Sequence, residues 1–393
     1  MSSEISHYAT TKVEILGSET LVDISSPQRP LEPSARDLYR NYKAIIRDRN
    51  IYYPVAYRLV RELGHGRQGR VFLGLRQGAR GCITRHAIKI FDPSIYTSAE
   101  NYWTDMGRIA NQVSELQMVQ SPNLTSRDIY EEFNGIGYMQ MQVIDGVDLR
   151  ELLSPGHLDI VKARSTPEEW ARFMDVIFRV EGNTLKIQTG IALYIMRQML
   201  RGLETLHEHG FVHSDIKPAN IMIDRLGYVK LVDYGRAVKA NEKMTMLFGS
   251  PLFMAPETHR REPNVIESDI YSVGLVGLEM LRGEPLLDTT GLLEKDLLEF
   301  KMSLPDRLQD MLPSYVLQNS QLVRMFRRFI DPDPQKRYHK ADEAEAGKQG
   351  LRIVHQQLTQ LGKDAEYGRE LQAYISKIKA APADSFSRDI DRL

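Results

Sequence analysis

The chain has 393 residues, which at about 150 residues per domain predicts two or three domains or one large two-lobed unit. Its 51 basic and 52 acidic residues leave a net charge of −1, and 42% of the residues are hydrophobic and 26% charged. These proportions exclude collagen-like, intrinsically disordered and highly charged classes of protein. The balanced charge gives no electrostatic reason to expect a nucleic-acid partner.

The single cysteine, Cys82, cannot form a disulfide within the chain or build a cysteine-based zinc site. One free thiol fits a reducing compartment, so we expect a cytoplasmic location and a buried, apolar Cys82. The first residues have charges and no continuous apolar stretch, so no export signal is expected. Charges also interrupt the apolar stretches before the roughly 20 residues that a spanning helix needs, so no membrane association is expected.

The N-terminal part of the chain changes from polar to strand-like. Residues 1–34 are polar and contain several prolines, which predicts a loosely held leader. Ser34 is a candidate N-cap for a short amphipathic helix that ends near Arg49. Alternating apolar and polar residues then predict an antiparallel series of strands, over 57–63, 71–75 and 86–91 and a strand pair within 129–144.

Beyond Gly146 the apolar residues recur mostly at helical spacing, so the layout is a sheet-rich front and a helix-rich back. Residues 154–190 indicate an inserted loop with a helix of its own, which either holds a partner or packs on the surface. After about Lys340 the chain is charged and helical, and it ends in a Pro-, Asp- and Ser-rich segment over 382–393.

A glycine-rich loop follows the first predicted strand. Gly64, Gly66 and Gly69 fit the spacing GxGxxG, and Val71 follows. Glycines allow the backbone to approach a polyphosphate closely. The same spacing marks dinucleotide-binding folds, but these need a helix directly after the loop. Here a strand pattern follows, which predicts a hairpin tip over a nucleotide, with an ordinary glycine-rich hairpin as the alternative.

Lys89 lies among apolar residues in the strand 86–91. A lysine in a half-buried strand is unfavourable unless it meets a negative partner, so phosphate oxygens or a carboxylate are the expected neighbours. The alternative is an edge lysine whose ammonium group reaches water.

The strongest signal is the segment HSDIKPAN at 213–220, followed by DYG at 233–235 and APE at 255–257. With the glycine loop and Lys89 upstream, this series resembles the eukaryotic-type protein kinase superfamily, whose motifs are HRDxKxxN, DFG and APE. The resemblance covers about residues 57–340. It implies an α+β, two-lobed protein-kinase-like fold with a small antiparallel-sheet N-lobe and a larger helical C-lobe.

The resemblance also divides the chain. It implies a polar leader and short helix, an N-lobe, a C-lobe with an insertion near 154–190, and a charged helical C-terminal extension, at residues 1–50, 51–145, 146–340 and 341–393 respectively. A regulatory partner could reach the insertion or the terminal extensions.

The resemblance implies roles for the motif residues. Asp215 would accept or orient the proton of the attacking hydroxyl, and Lys217 would steady the transferred phosphoryl group. Lys89 would hold the α- and β-phosphates of ATP. Asn220 and Asp233 would hold Mg²⁺, since amide and carboxylate oxygens are the ligands that this ion prefers. The nucleotide pocket would comprise Leu63, Gly64, Gly66, Gly69, Val71, Ala87, Lys89, the gatekeeper Met141, the hinge residues Gln142 to Ile144, and Met222.

Further residues resemble scaffold and branch-specific positions of the family. Asp269, and Glu257 with Arg337, resemble residues that support the large lobe. Lys217 and the segment GSP at 249–251 resemble the serine/threonine branch. The expected function is therefore a protein kinase acting on serine and threonine hydroxyls of proteins with ATP and Mg²⁺. A nucleotide-binding pseudokinase scaffold is the alternative, and a kinase for small-molecule hydroxyls is a weaker third.

Three positions depart from the family pattern. Ser214 stands where many kinases have the arginine that binds a phosphorylated loop, so regulation by loop phosphorylation is less favoured, although Thr245 stays a candidate phosphosite. The position of the helix glutamate that pairs with Lys89 falls on Gln112, and Glu115 lies one turn later. We expect Glu115 to serve, with Gln112 as the alternative. Tyr234 replaces phenylalanine, and its hydroxyl needs a polar partner.

Overall fold

The computed structural model describes residues 34–52, 55–182, 184–242, 251–288, 292–359 and 364–379. The candidate phosphosite Thr245 and most of the predicted leader lie outside the described residues. The C-terminal segment 382–393 does so as well.

The N-terminal lobe is a six-stranded antiparallel sheet with a long helix packed against it. Its elements are α1 (Ala35–Asp48), β1 (Asn50–Ile51), β2 (Tyr57–Gly66), β3 (Gly69–Gln77), β4 (Ile83–Phe91), α2 (Ala99–Leu116), β5 (Arg127–Phe133) and β6 (Ile136–Met141). The strand order is β1-β2-β3-β4-β6-β5. Each predicted strand is present, and β4 is continuously buried from residue 87 to 91 because both faces of the sheet are covered.

The short helix α1 belongs to this lobe. Ser34 caps it as predicted, since its Oγ accepts a hydrogen bond from the backbone of Asp37 at 3.3 Å. Leu38, Tyr42 and Ile45 lie on one face of α1 and are buried in the N-lobe core. The amphipathic pattern of this segment is therefore explained by packing on the sheet.

The C-terminal lobe is mainly helical and contains several short strands. Its elements are β7 (Gly146–Asp148), α3 (Leu149–Leu153), α4 (Leu158–Ala163), α5 (Pro167–Val176), β8 (Phe178–Glu181), β9 (Thr184–Ile187), α6 (Thr189–Glu208), β10 (Phe211–Val212), β11 (Ile221–Asp224), β12 (Val229–Leu231), β13 (Val238–Lys239), α7 (Pro256–His259), α8 (Ile266–Arg282), α9 (Glu294–Ser303), α10 (Leu308–Met311), α11 (Ser314–Leu317), α12 (Ser320–Phe329), α13 (Ala341–Ala346), α14 (Leu351–Thr359) and α15 (Asp364–Ile378). Helices α6 and α8 form the centre of its core. Together with the N-lobe, this is the expected two-lobed fold.

The insertion and the C-terminal extension pack against each other. The insertion contains α4, α5 and the β8–β9 hairpin, so it is more structured than a loop with one helix. Tyr374 of α15 is buried against Phe173 and Phe178 of the insertion, with ring centroids 5.1 and 5.0 Å apart. Lys377 Nζ also lies 2.8 Å from Glu169 Oε2. Much of the apolar surface of both segments is thus used within the chain.

The structure bears on the predictions for Cys82 and for a membrane-spanning helix. Cys82 is exposed, so the expectation that it is buried is wrong. It follows a tight turn between β3 and β4, where its backbone bonds Gly78 and Ala79 and its side chain has no core to enter. Among the described helices, none is long and apolar enough to cross a membrane.

Candidate active site

The glycine loop is the tip of the β2–β3 hairpin, as its strand pattern predicted. Gly66 and Gly69 face each other across the turn. Gly69 has a φ of 145°, and a Cβ atom there would lie 1.9 Å from the carbonyl oxygen of Ile90. Only glycine allows this close approach to β4. The loop is therefore held directly above the strand that carries Lys89.

Four of the expected nucleotide-pocket residues lie on one face of the sheet. Val71 is the cross-strand partner of Lys89, and Ala87 is the partner of Met141. Because side chains of directly opposed residues share a face, and residues two apart in a strand do too, Val71, Ala87, Lys89 and Met141 point the same way. These four side chains therefore share one face of the sheet, and their contact with a nucleotide stays a prediction.

The other residues expected in the pocket differ in their exposure to solvent. Leu63 is 41% exposed, so it is not a core residue in this structure, whereas Met222 on β11 is half-buried. The backbone amide of Gln142 donates to the carbonyl of Ser126 at 3.3 Å, so this amide is bonded within the chain. Ile144 follows two residues later and is half-buried.

Lys89 is almost completely buried, with 3% of its surface exposed. Its ammonium group donates to Gln68 Oε1 at 3.0 Å and forms an ion pair with the carboxylate of Asp233. The expectation that Lys89 meets a negative partner is therefore confirmed, and the alternative of an edge lysine reaching water is not.

The expected identity of that partner is wrong. Glu115 Oε1 lies 3.2 Å from Lys239 Nζ, and the Glu115 side chain is 44% exposed. Gln112 is buried, but its Nε2 donates to the carbonyl of Ala237 at 2.5 Å. Both side chains point away from Lys89 because this face of α2 contacts the segment after Asp233 instead.

The contacts of α2 with the DYG segment replace an ion pair to Lys89. Arg108 Nη2 donates to the carbonyl of Gly235 at 3.3 Å, next to the Gln112 contact. The guanidinium of Arg127 donates to Gln112 Oε1 at 3.2 Å and stacks 3.5 Å from the ring centre of Tyr234. Burial lowers the pKa of Arg127 to about 10, so it remains a cation at neutral pH. These bonds fix α2 against the cleft.

Tyr234 finds the polar partner that its hydroxyl requires. The hydroxyl donates to the backbone carbonyl of Thr125, while the ring is buried beneath Arg127. Burial raises the pKa of Tyr234, which keeps the phenol neutral and able to donate. The change from phenylalanine to tyrosine thus adds a bond between the DYG segment and the N-lobe.

The catalytic loop holds the carboxylate of Asp215 between two donors. Lys217 Nζ lies 2.8 Å from Asp215 Oδ2 and 3.1 Å from its Oδ1. Asn220 Nδ2 donates to the same Oδ2 at 2.9 Å and to the backbone carbonyl of Asp215 at 2.8 Å. The three motif residues therefore form one hydrogen-bonded unit, which orients the carboxylate before any substrate arrives.

A buried carboxylate from α8 supports this loop from below. Asp269 accepts hydrogen bonds from the backbone amides of His213 at 2.7 Å and Ser214 at 2.9 Å. Ser214 has a φ of 64°, which is unfavourable for a residue with a side chain, and these bonds stabilise it. Burial lowers the pKa of His213, so its ring stays neutral behind the cleft. Asp269 is thus a supporting residue, as its resemblance implied.

Asn220 and Asp233 offer the oxygen donors that a Mg²⁺ ion needs. Asn220 uses its amide nitrogen on Asp215, so its amide oxygen is the atom left for a cation, and no described residue donates to it. The backbone amide of Val232 donates to the carbonyl of Asn220 at 2.9 Å, which places Asp233 next to it. One amide oxygen and one carboxylate leave coordination positions for phosphate and water, as this ion requires. The residues fit the expected metal.

The segment around APE is anchored by buried charges. Glu257 receives two hydrogen bonds from Arg337, at 2.7 and 2.8 Å, and both side chains are buried, which confirms this scaffold pair. Lys301 of α9 is fully buried and donates to the carbonyl of Pro251 at 2.5 Å and to His259 Nδ1 at 3.2 Å. Burial lowers the pKa of Lys301 to about 7. These contacts fix the described end of the segment that follows DYG.

Sequence reasoning missed three residues of this site. Gln68 lies at a hairpin tip and Arg127 at the start of a strand, where polar residues are usually exposed. Lys301 lies in an amphipathic helix with other charges. None of the three differs from a surface residue in pattern, and each was found only from its contacts with residues distant in the sequence.

Known proteins resemble the chain mostly in this domain. The model of the protein kinase domain matches residues 57–346. A probable serine/threonine-protein kinase PknB of Lactococcus lactis is 24% identical over 253 residues, 63% of this chain and 35% of that protein. The serine/threonine-protein kinase shk1/pak1 of Schizosaccharomyces pombe is 38% identical over 109 residues, 27% of this chain and 16% of that protein. The matched parts therefore span between 16% and 35% of these relatives. The family match over most of the chain and the geometry of the cleft show that the chain belongs to the protein kinase family, on its serine/threonine branch.

Proposed function

We propose that the protein transfers the γ-phosphoryl group of ATP to serine or threonine hydroxyls of other proteins. The observation that carries the proposal is the unit in which Lys217 and Asn220 hold the Asp215 carboxylate, beside a cleft that ends at Asp233 and Lys89. Relatives named serine/threonine-protein kinases support the acceptor class.

In the proposed reaction a hydroxyl oxygen of the substrate bonds to the γ-phosphorus while the bond to the β,γ-bridging oxygen breaks, and ADP leaves with that electron pair. Asp215 accepts the hydroxyl proton. Lys217, at 2.8 Å from Asp215, lies where it can neutralise charge on the transferred group. Asn220 keeps the carboxylate of Asp215 oriented through its amide nitrogen.

Lys89 and the glycine loop would bind the other phosphates, and Asn220 and Asp233 would bind Mg²⁺. The ion, when bound, neutralises phosphate charge and aligns the oxygens. Asp233, which pairs with Lys89 in this structure, would share its carboxylate with the ion. Buried Lys89 would have the phosphates as a further negative partner, so its charge would stay compensated.

The proposal also covers the cellular location, the domain limits and a regulatory partner. We place the protein in the cytoplasm, because a single exposed thiol suits a reducing compartment. The domain limits 1–50, 51–145, 146–340 and 341–393 stay predictions, as does Thr245 as a phosphosite. A regulatory partner would meet the outer faces of the insertion and α15, since their inner faces cover each other.

The test is transfer of labelled phosphate from ATP to a generic protein substrate with Mg²⁺, followed by identification of the labelled amino acid. Asp215→Asn keeps the size of the side chain and removes the charge, so we expect a rate at least about 100-fold lower. Asp159→Asn is the matched control, because Asp159 is exposed on α4 of the insertion and belongs to none of the motifs. Wild-type protein that binds ATP without transfer would contradict the proposal and favour the pseudokinase alternative.

A further inference from the structure

The ion pair of Lys89 is with Asp233, which lies outside α2. The three acidic residues of α2 all lie elsewhere: Glu100 is exposed in the first turn, and Glu115 pairs with Lys239. Asp105 accepts from the hydroxyl of Tyr96 at 2.6 Å. Gln68 and Asp233, which belong to other elements, hold the ammonium group.

Gln68 at the tip of the glycine loop is one of these groups. Its side chain is 6% exposed, and its Oε1 accepts a hydrogen bond from Lys89 Nζ at 3.0 Å. Its backbone carbonyl accepts from the amide of Asp92 at 2.8 Å, one residue beyond β4. Gly69 adds a close backbone contact with β4. Gln68 is therefore fixed from both sides, with its amide directed into the cleft, while its neighbour Arg67 is exposed.

We propose that Gln68 is a positioning residue for Lys89, and that a neutral amide on the glycine loop does here what a helix carboxylate would otherwise do. This inference rests on the proposed function. The inference goes beyond the proposed function because it assigns the orientation of Lys89 to a residue of the glycine loop.

The chemistry of an amide suits this position. The amide oxygen accepts one of the three ammonium N–H groups but carries no net charge, so it orients Lys89 without neutralising it. If Asp233 bound a metal ion, Gln68 would still hold Lys89. The full positive charge would then face the phosphates. Closure of the loop and alignment of Lys89 become one event, because the same residue takes part in both.

The test is a double-mutant cycle of Gln68→Ala and Lys89→Met, read by the dissociation constant of Mg²⁺–ATP and by kcat. In the wild-type background we expect Gln68→Ala to raise the dissociation constant of Mg²⁺–ATP or to lower kcat about tenfold, as for the loss of a hydrogen bond to a charged group. With Lys89→Met already present, Gln68→Ala should change the dissociation constant by less than about twofold, since its effect acts through Lys89.

Three further variants test which contact of Lys89 affects the binding of Mg²⁺–ATP. Gln68→Glu keeps an acceptor at the same reach but adds a charge that would neutralise Lys89, so it should bind Mg²⁺–ATP more than about threefold more weakly than wild type. Gln77→Ala changes an exposed glutamine of the same sheet and should behave as wild type. Glu115→Gln should also leave binding unchanged, because Glu115 contacts Lys239. Thermal unfolding of each variant shows that it is folded.

The inference is overturned if Gln68→Ala equals wild type in both readouts, or if its effect is as large with Lys89→Met as without it. A loss in Glu115→Gln equal to that in Gln68→Ala would also overturn it. The binding cycle does not depend on phosphate transfer. Coupling in that cycle together with an inactive wild type would support the role of Gln68 and refute only the proposed function.

Discussion

Tyr374 allows a direct measurement of how strongly α15 is held on the insertion. Its hydroxyl lies 2.7 Å from His157 Nδ1, while His157 Nε2 lies 2.9 Å from the carbonyl of Leu152. A carbonyl only accepts, so Nε2 bears the proton and Nδ1 accepts from the Tyr374 hydroxyl. Tyr374→Phe leaves that buried nitrogen without a donor, which should lower the free energy of unfolding by about 1–3 kcal/mol. Tyr374→Ala also empties the space between Phe173 and Phe178 and should cost about 3–5 kcal/mol.

Urea unfolding of the full chain measures these differences, and proteolysis at the C-terminal end tests whether α15 has detached. Tyr228→Phe is the matched control, because Tyr228 is 49% exposed, and it should lie within about 0.5 kcal/mol of wild type. If Tyr374→Phe is as stable as Tyr228→Phe, the hydrogen bond to His157 contributes nothing, and the reasoning from burial is refuted.

Three other changes should separate the structural roles of single residues. Gly69→Ala should lower the unfolding temperature, because the new Cβ atom would meet the backbone of β4. Gly66→Ala is the control and should be tolerated, because a Cβ atom at that position has open space. Equal midpoints of the two variants in thermal unfolding would contradict this reasoning. Glu257→Gln leaves the fully buried Arg337 without an anion, so it should lower the free energy of unfolding in urea by about 3–5 kcal/mol. A decrease below about 1 kcal/mol would be inconsistent with a buried ion pair. Burial raises the pKa of Glu279 on α8 to about 7 from 4.5, so the folded protein binds this proton more tightly than the unfolded chain and loses stability as the pH rises through 7. Glu279→Gln should therefore be more stable than wild type at pH 8 and lose that advantage near pH 5, and an advantage independent of pH would rule out this cause.

The C-terminal helices α14 and α15 pack into the core of the C-lobe. Residues of α14 and α15 are part of the same core as α6 and α8, although the family match ends at residue 346. The guanidinium of Arg225 bonds the backbone carbonyl of Lys379 and pairs with Asp145 at 2.9 Å, just after the hinge. The end of α15 is thus linked to the segment that joins the lobes.

The local sequence pattern was enough to predict the secondary-structure elements and many of the residues that line the cleft. Strand alternation predicted the hairpin at the glycine loop because backbone register follows from a period of two. The spacing of Asp215, Lys217 and Asn220 is short, so one turn of chain brings these residues together wherever the loop folds. The same reasoning failed for Cys82, because burial depends on what other segments cover and not on the residue type.

By itself, the sequence determined the family, the order of the lobes and the identities of Lys89, Asp215, Asn220 and Asp233, since each is carried by a motif of contiguous residues. Only the tertiary structure decided the partners of Lys89. Whether Glu115, Gln112 or Gln68 meets the ammonium depends on the rotation of α2 and on the loop above it. That rotation is set by bonds to the DYG segment, such as the one from Gln112 to Ala237, across 125 positions of the chain. Contacts at such separation leave no periodic signal along the chain, because they are selected by the packing of the whole lobe.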